Sequence, residues 1–134
     1  MAEYTIANLK SDVEDQAPNF GLSPSLEARF ARGALELERS GVSYQRIAPD
    51  FRVPFGHTHE KQEEIYVFVS GGGRMKVGDD VVDVKQWDAV RVAAGTWRGF
   101  EAGPEGAELI AYGARCGMAP DDSDADMERN WWSD

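Results

Sequence analysis

The sequence predicts an all-β domain, arranged as a sandwich or a barrel. Short apolar segments follow one another along most of the chain, and no long amphipathic helix lies between them. Many short strands at close spacing are typical of that class. The segments that separate them are rich in residues that favour turns, and they cover residues 48–50, 70–73, 78–80, 93–96 and 102–106.

The predicted strands cover residues 26–31, 42–47, 63–70, 74–77, 81–84, 89–92, 97–101 and 107–113. Residues 78–80 join two segments with alternating apolar residues, which indicates a hairpin. The glycine-rich segment 70–73 is followed by neither a helix nor a lysine at phosphate-loop spacing, so it predicts a β-turn.

Three segments are expected along the chain. Residues 1–24 form an N-terminal extension with one short helical turn at 11–16, residues 25–116 form the β domain, and residues 117–134 form an acidic C-terminal tail. The acidic part of the tail is expected to be loose. Trp131 and Trp132 either share that looseness or pack on the β domain or on a second subunit.

Charge and composition argue against a nucleic-acid partner, a membrane helix, a signal peptide and a disulfide. The chain has 134 residues and a formal net charge of −10, so a nucleic-acid partner, which requires a basic patch, is not expected. No segment approaches the ~20 apolar residues of a membrane helix. The first residues lack the order of a signal peptide, and the lone Cys116 excludes an intrachain disulfide. A cytoplasmic location is therefore expected.

Both histidines of the chain, His57 and His59, lie one residue apart in the segment 56–73. On an extended strand this spacing puts both imidazoles on one face. Glu64 lies on the next predicted strand, and a carboxylate from a neighbouring strand would complete a three-ligand site. Such a set suits divalent Fe, Mn, Ni, Zn or Cu. The alternative is a polar surface loop that binds nothing.

The spacing of these residues resembles the first motif of the cupin superfamily. His57-Thr-His59 is followed after four residues by Glu64, and after six more by Gly71. Phe51 occupies the position of the leading glycine of that motif. The resemblance covers residues 42–113 and implies a double-stranded β-helix, the jelly-roll cupin barrel, which is usually dimeric and has its site inside the barrel.

The second motif of that superfamily is only partly matched. Asp88 and Gly95 stand where the superfamily has aspartate and glycine, whereas Trp87 replaces a glycine and Ala93 replaces a proline. Arg98 stands where the superfamily has its last metal-binding histidine. A guanidinium has no lone pair to donate and repels a divalent cation.

Arg98 leaves two interpretations open. In the first, His57, His59 and Glu64 bind the metal, and Arg98 holds a carboxylate of a bound ligand with its forked donors. In the second, Arg98 pairs with Glu64 in a metal-free pocket, where removing either partner would leave a buried charge unpaired.

The resemblance implies a small metal-dependent enzyme, since small cupins include dioxygenases, isomerases, decarboxylases and lyases. His57, His59 and Glu64 would then hold the metal, and Arg98 and Tyr66 would be catalytic and contact a small anionic substrate. Phe68 and Phe100 are expected first to pack in the core, like Tyr66, and those nearest the metal would also line the substrate pocket. A metal-free binding module and a structural homodimer are the other candidate functions.

Overall fold

The computed structural model describes residues 2–114 and 123–134. The chain forms a short 3₁₀ helix at Ala17–Phe20 and then strands β1 to β8. Their bounds are Leu26–Phe30 (β1), Ser40–Ile47 (β2), Phe55–His59 (β3), Glu64–Val77 (β4), Asp80–Val84 (β5), Ala89–Val92 (β6), Arg98–Ala114 (β7) and Ala125–Arg129 (β8). The all-β prediction is confirmed.

All strands pair antiparallel in one curled sheet. Strands β1, β2, β7, β3 and β8 follow one another across it, and β4 pairs with β5, β6 and β7. The long strands β4 and β7 pair with each other from Glu64–Gly113 at one end to Val77–Arg98 at the other. β7 therefore contacts β2, β3 and β4, and it holds the two sides of the sheet together.

The predicted turns at 70–73 and 102–106 are wrong, because both segments lie inside long strands. The pairing of β4 with β7 shifts register between Phe68 and Ser70 and again between Gly71 and Gly73. A Cβ at Gly71 would lie 2.0 Å from the carbonyl oxygen of Gly106, and one at Gly73 would lie 2.1 Å from that of Glu101. The glycines thus allow two backbones to approach closely where the strands bend, and they do not reverse the chain.

The core lies inside the curled sheet. Its largest fully buried apolar side chains come from β2, β4, β6 and β7, and they are Ile47, Tyr66, Phe68, Met75, Val92 and Leu109. Phe100 is also buried, and Val90 packs against this cluster. Tyr66, Phe68 and Phe100 therefore pack in the core, which is the first of the two roles expected for these residues. The predicted helical turn at 11–16 is absent, and the 3₁₀ helix begins at Ala17 instead.

Residues 123–134 of the predicted tail pack against the barrel. Ala125–Arg129 pairs with β3 along its whole length, from Phe55–Arg129 to His59–Ala125. Trp132 is only 7% exposed and lies under the guanidinium of Arg52, 4.3 Å from the ring centroid. Trp131 stacks on Trp97, with ring centroids 6.0 Å apart. Of the alternatives for the two tryptophans, packing on the barrel is the one found.

Strands β3 and β8 have no counterpart among the predicted strands. Cys116 and the expected boundary between residues 116 and 117 lie outside the described residues, and the three-segment division stays a prediction. Within residues 2–114 and 123–134, no helix is long and apolar enough to cross a membrane.

Candidate metal site

Strand β3 places the two histidines on one face. Burial alternates along Phe55–His59, with Gly56 and Thr58 buried on the opposite face. Gly56 is packed against Trp131, because a Cβ there would lie 2.4 Å from the indole ring. His57 and His59 therefore point together into the barrel, and their ring centroids are 5.2 Å apart in an edge-to-face arrangement. The predicted common face is confirmed.

Glu64, the first residue of β4, brings a carboxylate to both imidazoles. Its Oε1 lies 3.1 Å from His59 Nε2 and 3.6 Å from His57 Nε2. Burial alone would raise the pKa of Glu64, but interactions with His57, His59 and the Tyr66 hydroxyl outweigh burial and hold that pKa well below its ordinary value. Glu64 is therefore an ionised acceptor between two potential metal ligands.

Tyr66 lies two residues further along β4 and closes the inner side of this cluster. Its hydroxyl donates a hydrogen bond to Glu64 Oε1 and lies 3.3 Å from His57 Nε2. Its ring packs edge-on against Phe100, with centroids 5.0 Å apart. Burial, followed by the negative charge of Glu64, raises the pKa of Tyr66 well above its ordinary value, so the hydroxyl keeps its proton.

Asp124 fixes the outer nitrogen of His59. Its carboxylate lies 2.9 Å from His59 Nδ1 and accepts hydrogen bonds from the backbone N–H groups of Lys61 and Gln62 and from the Gln62 amide. Burial alone would raise the pKa of Asp124, but these bonds hold it well below its ordinary value. An ionised carboxylate only accepts, so Nδ1 carries the proton and Nε2 faces Glu64.

The two imidazoles differ in their electrostatics. Burial, joined by the charge of Arg98, lowers the pKa of His57, although Glu64 acts in the opposite direction. Burial also acts to lower the pKa of His59, but Glu64 and Asp124 outweigh it and raise that pKa above its ordinary value. His57 is therefore the more easily deprotonated of the two.

Arg98 lies behind the cluster, fully buried. It begins β7 and pairs with His57 of β3 on one side and Val77 of β4 on the other. Its Nη1 lies 3.6 Å from Glu64 Oε1, which is an ion pair but too long for a hydrogen bond, and no guanidinium nitrogen has a hydrogen-bond partner among the described residues. The guanidinium also stands 5.9 Å from the centroid of the Tyr66 ring.

A cavity of about 260 Å³ opens next to the histidines. His57, His59, Tyr66 and Phe100 are among the residues that line it, together with many apolar side chains from β1, β3, β8 and the 3₁₀ helix. Arg98, Glu64 and Phe68 do not line it. Glu64 and Arg98 therefore lie outside the lining of the cavity, and the two imidazoles and Tyr66 form its polar end.

The donor set fits a divalent transition metal. Donors that each lie at about 2.0–2.2 Å from one metal ion stand about 3 to 3.5 Å apart at a facial site. One ligand atom from each of His57, His59 and Glu64 lies within 4.8 Å of the others, and the His59–Glu64 distance of 3.1 Å is already in range. The carboxylate on His59 Nδ1 is the outer partner that metal-bound imidazoles usually have.

The family model for the cupin domain matches residues 43–112, which is more than half of the chain. The chain belongs to the cupin family. Its all-β curled sheet is accordingly a cupin jelly-roll barrel, and the superfamily prediction is confirmed. A search of curated proteins finds no match.

Several solved cupins have a similar fold. A cupin protein from Bacteroides fragilis is 21% identical with a TM-score of 0.69, and the match covers 88% of this chain and 89% of that one. Pac13, a nucleoside dehydratase from Streptomyces, is 14% identical with a TM-score of 0.68, over 96% and 92%. Oxalate decarboxylase from Bacillus subtilis is 20% identical with a TM-score of 0.69, but the match covers 95% of this chain and only 33% of the decarboxylase. At these identities the likeness shows the fold alone.

The structure brings together His57, His59, Glu64, Tyr66 and Arg98 from three strands, as the sequence predicts, with Phe100 beside Tyr66. Phe68 is 2% exposed and lies in the core, away from the cavity. Asp124 is the residue that sequence reasoning missed. No short-range signal marks it, because it is 65 residues from His59 and one of six acidic residues in 121–134.

Proposed function

We propose that this cupin binds one divalent transition metal through His57, His59 and Glu64 and holds a small organic molecule against it in the adjacent cavity. The observation that carries the proposal is the convergence of donor atoms from His57, His59 and Glu64, with both imidazoles lining the cavity and that of His59 fixed from behind by Asp124. Fe, Mn, Ni, Zn and Cu are all compatible with two imidazoles and a carboxylate.

A metal bound there would supply Lewis-acid chemistry, by polarising an oxygen atom of the bound molecule. Tyr66 lines the cavity, and because its hydroxyl proton is donated to Glu64, the hydroxyl oxygen can orient the bound molecule by accepting a hydrogen bond from it. Phe100 orients the tyrosine ring from the side. Pac13 and oxalate decarboxylase, which share the fold, are named for reactions of small molecules, and that supports an enzymatic role.

Arg98 is proposed to act on Glu64 more than on the substrate. It is fully buried, lies outside the cavity lining and has its positive charge 3.6 Å from the Glu64 carboxylate. This charge favours the ionised form of Glu64, the form that binds a metal. A direct contact of Arg98 with an anionic substrate stays a prediction, as does the substrate contact of Phe68.

A metal-free binding cupin is the second candidate, and the Arg98–Glu64 pair favours it. The pair already balances the charge of Glu64 without a cation. In that case the cavity binds a small molecule through Tyr66 and the two imidazoles, without a metal.

Paired carboxamide variants discriminate between the two candidates. Glu64→Gln removes a proposed ligand, whereas Glu63→Gln changes the neighbouring glutamate, which is 57% exposed and pairs with Arg91 on the surface. We expect Glu64→Gln to weaken zinc binding by more than about 10-fold, because loss of a residue that only orients a ligand already costs about 10-fold or more. Glu63→Gln should leave zinc binding unchanged. Competition against a chromophoric chelator measures both. Equal affinities in the two variants would exclude Glu64 as a ligand, and a native protein that binds no zinc would favour the metal-free candidate.

The homodimer and the cytoplasmic location stay predictions. Light scattering on purified protein tests the first directly.

A further inference from the structure

We infer that the natural ligand of the cavity is a small carboxylic acid with an apolar body: its carboxylate binds at the histidine end and its body fills the rest of the cavity. The inference rests on the proposed function for the carboxylate end. The part of the inference that concerns the apolar body rests on the side chains of the cavity walls.

The walls offer few hydrogen-bond partners. Of the fourteen residues that line the cavity, only Gln45, His57, His59 and Tyr66 are polar. Three of these four form the metal end, and the amide nitrogen of Gln45 is directed to Ser43 Oγ at 3.3 Å. A sugar, a nucleoside or a dicarboxylate would place polar groups against walls that cannot satisfy them, which costs binding free energy.

Three large apolar side chains in the lining are still more than half exposed. Phe20 of the 3₁₀ helix is 57% exposed, Phe30 of β1 is 55% exposed and Met127 of β8 is 59% exposed. Met127 is the register partner of His57, so it stands beside the metal end. An apolar body would bury these side chains, and burial of apolar surface is the main favourable contribution to binding at such a cavity.

The charge at the metal end favours an anion. Glu64 is the one ionised group among the three proposed ligands, and the Arg98 guanidinium lies 3.6 Å from it. Glu64 and the ionised Asp124 carry two negative charges and Arg98 carries one positive charge, so a divalent cation there would leave a net charge of about +1, which attracts an anionic oxygen. The volume of about 260 Å³ lies just below the range of pockets that hold drug-sized molecules, which suits a carboxylic acid with a short chain or a single ring.

A series of linear acids tests the inference. Acetate, butanoate and hexanoate are titrated by calorimetry into zinc-loaded protein whose metal content is measured, and succinate is compared with butanoate because it carries a second charge at the far end. We expect the affinity to rise by up to about fourfold per methylene group. We expect succinate to bind more weakly than butanoate. Equal affinity along the series, or succinate at least as tight as butanoate, would overturn the inference.

A pair of variants locates the apolar body. Phe30→Ser should weaken hexanoate binding several-fold and leave acetate and zinc binding unchanged. Ile65→Ser, at a 39% exposed position that does not line the cavity, is the matched control and should change neither. Loss of hexanoate affinity in both variants alike would count against the cavity as its site.

Failure of the metal site is distinguishable from failure of this inference. If the protein takes up no metal, the proposed function and the carboxylate end fail together. The chain-length series is then repeated with metal-free protein. A continued rise with chain length would support the apolar body, and a flat series would overturn it.

Discussion

His59 is the residue on which the geometry of the site depends most, since both of its ring nitrogens have fixed partners. Glu64 lies 3.1 Å from Nε2 and Asp124 lies 2.9 Å from Nδ1. Asp124 is itself held by two backbone N–H groups, so it cannot follow the imidazole if the ring rotates. Asp124 is therefore a positioning residue that presents Nε2 to the metal.

Replacing Asp124 tests this role. Asp124→Ala should weaken zinc binding by about 10- to 100-fold, because His59 loses the partner that orients its ring. Asp126→Ala removes the same charge from an exposed position on β8 and should leave the affinity unchanged. Chelator competition measures both. An equal loss in the two variants would mean that only the general negative charge of the segment matters.

At the scale of elements, the C-terminal segment completes the site. Strand β8 pairs with the free edge of β3, the strand that carries both histidines, and contributes Ala125 and Met127 to the cavity. Arg52 anchors the end of this segment, since it donates to the carbonyl oxygen of Trp132 and forms an ion pair with Asp134. The position of Asp124 therefore depends on the anchoring of the tryptophans downstream.

If Trp132 anchors the C-terminal segment, replacing it should lower the stability of the protein. Trp132→Ala should lower the free energy of unfolding by about 3 to 5 kcal/mol, because a nearly buried indole and its contact with Arg52 are lost. Trp87→Ala is the matched control, since Trp87 is 70% exposed, and it should cost less than about 1 kcal/mol. Urea unfolding of both variants measures the two losses in the free energy of unfolding. Similar losses would show that Trp132 is not an anchor.

At the scale of the whole molecule, the sequence predicts the barrel and the inner half of the site but not the outer half. His57, His59 and Glu64 are recognisable because alternation on a strand and a fixed spacing bring them together. Asp124 and β8 are not recognisable in the sequence, because residues 125–129 pair with the distant residues 55–59. The composition of the C-terminal segment instead indicates an acidic surface. Gly71 and Gly73 lead to the wrong prediction of a turn at 70–73, because glycine is favoured both where two backbones approach closely and where the chain reverses.

Metal binding should weaken as the solution becomes more acidic. The pKa of His59 lies above its ordinary value of 6.5, because Glu64 and Asp124 outweigh burial, whereas burial lowers the pKa of His57. A proton on His59 must leave before Nε2 can bind a metal. Competition by protons therefore begins above about pH 6.5 and costs about tenfold in affinity per pH unit below the pKa of His59. Zinc affinity that stays constant between about pH 5 and 8 would contradict histidine ligation.

The measurement that tests the central claim most directly is elemental analysis of tag-free protein by plasma mass spectrometry, beside a His57→Ala/His59→Ala variant. Both proteins are offered Mn, Fe, Ni, Cu and Zn in turn, dialysed and analysed. The account predicts close to one metal ion per chain in the native protein and almost none in the variant. The absence of metal from both proteins, or equal metal in both, would contradict a site formed by His57, His59 and Glu64.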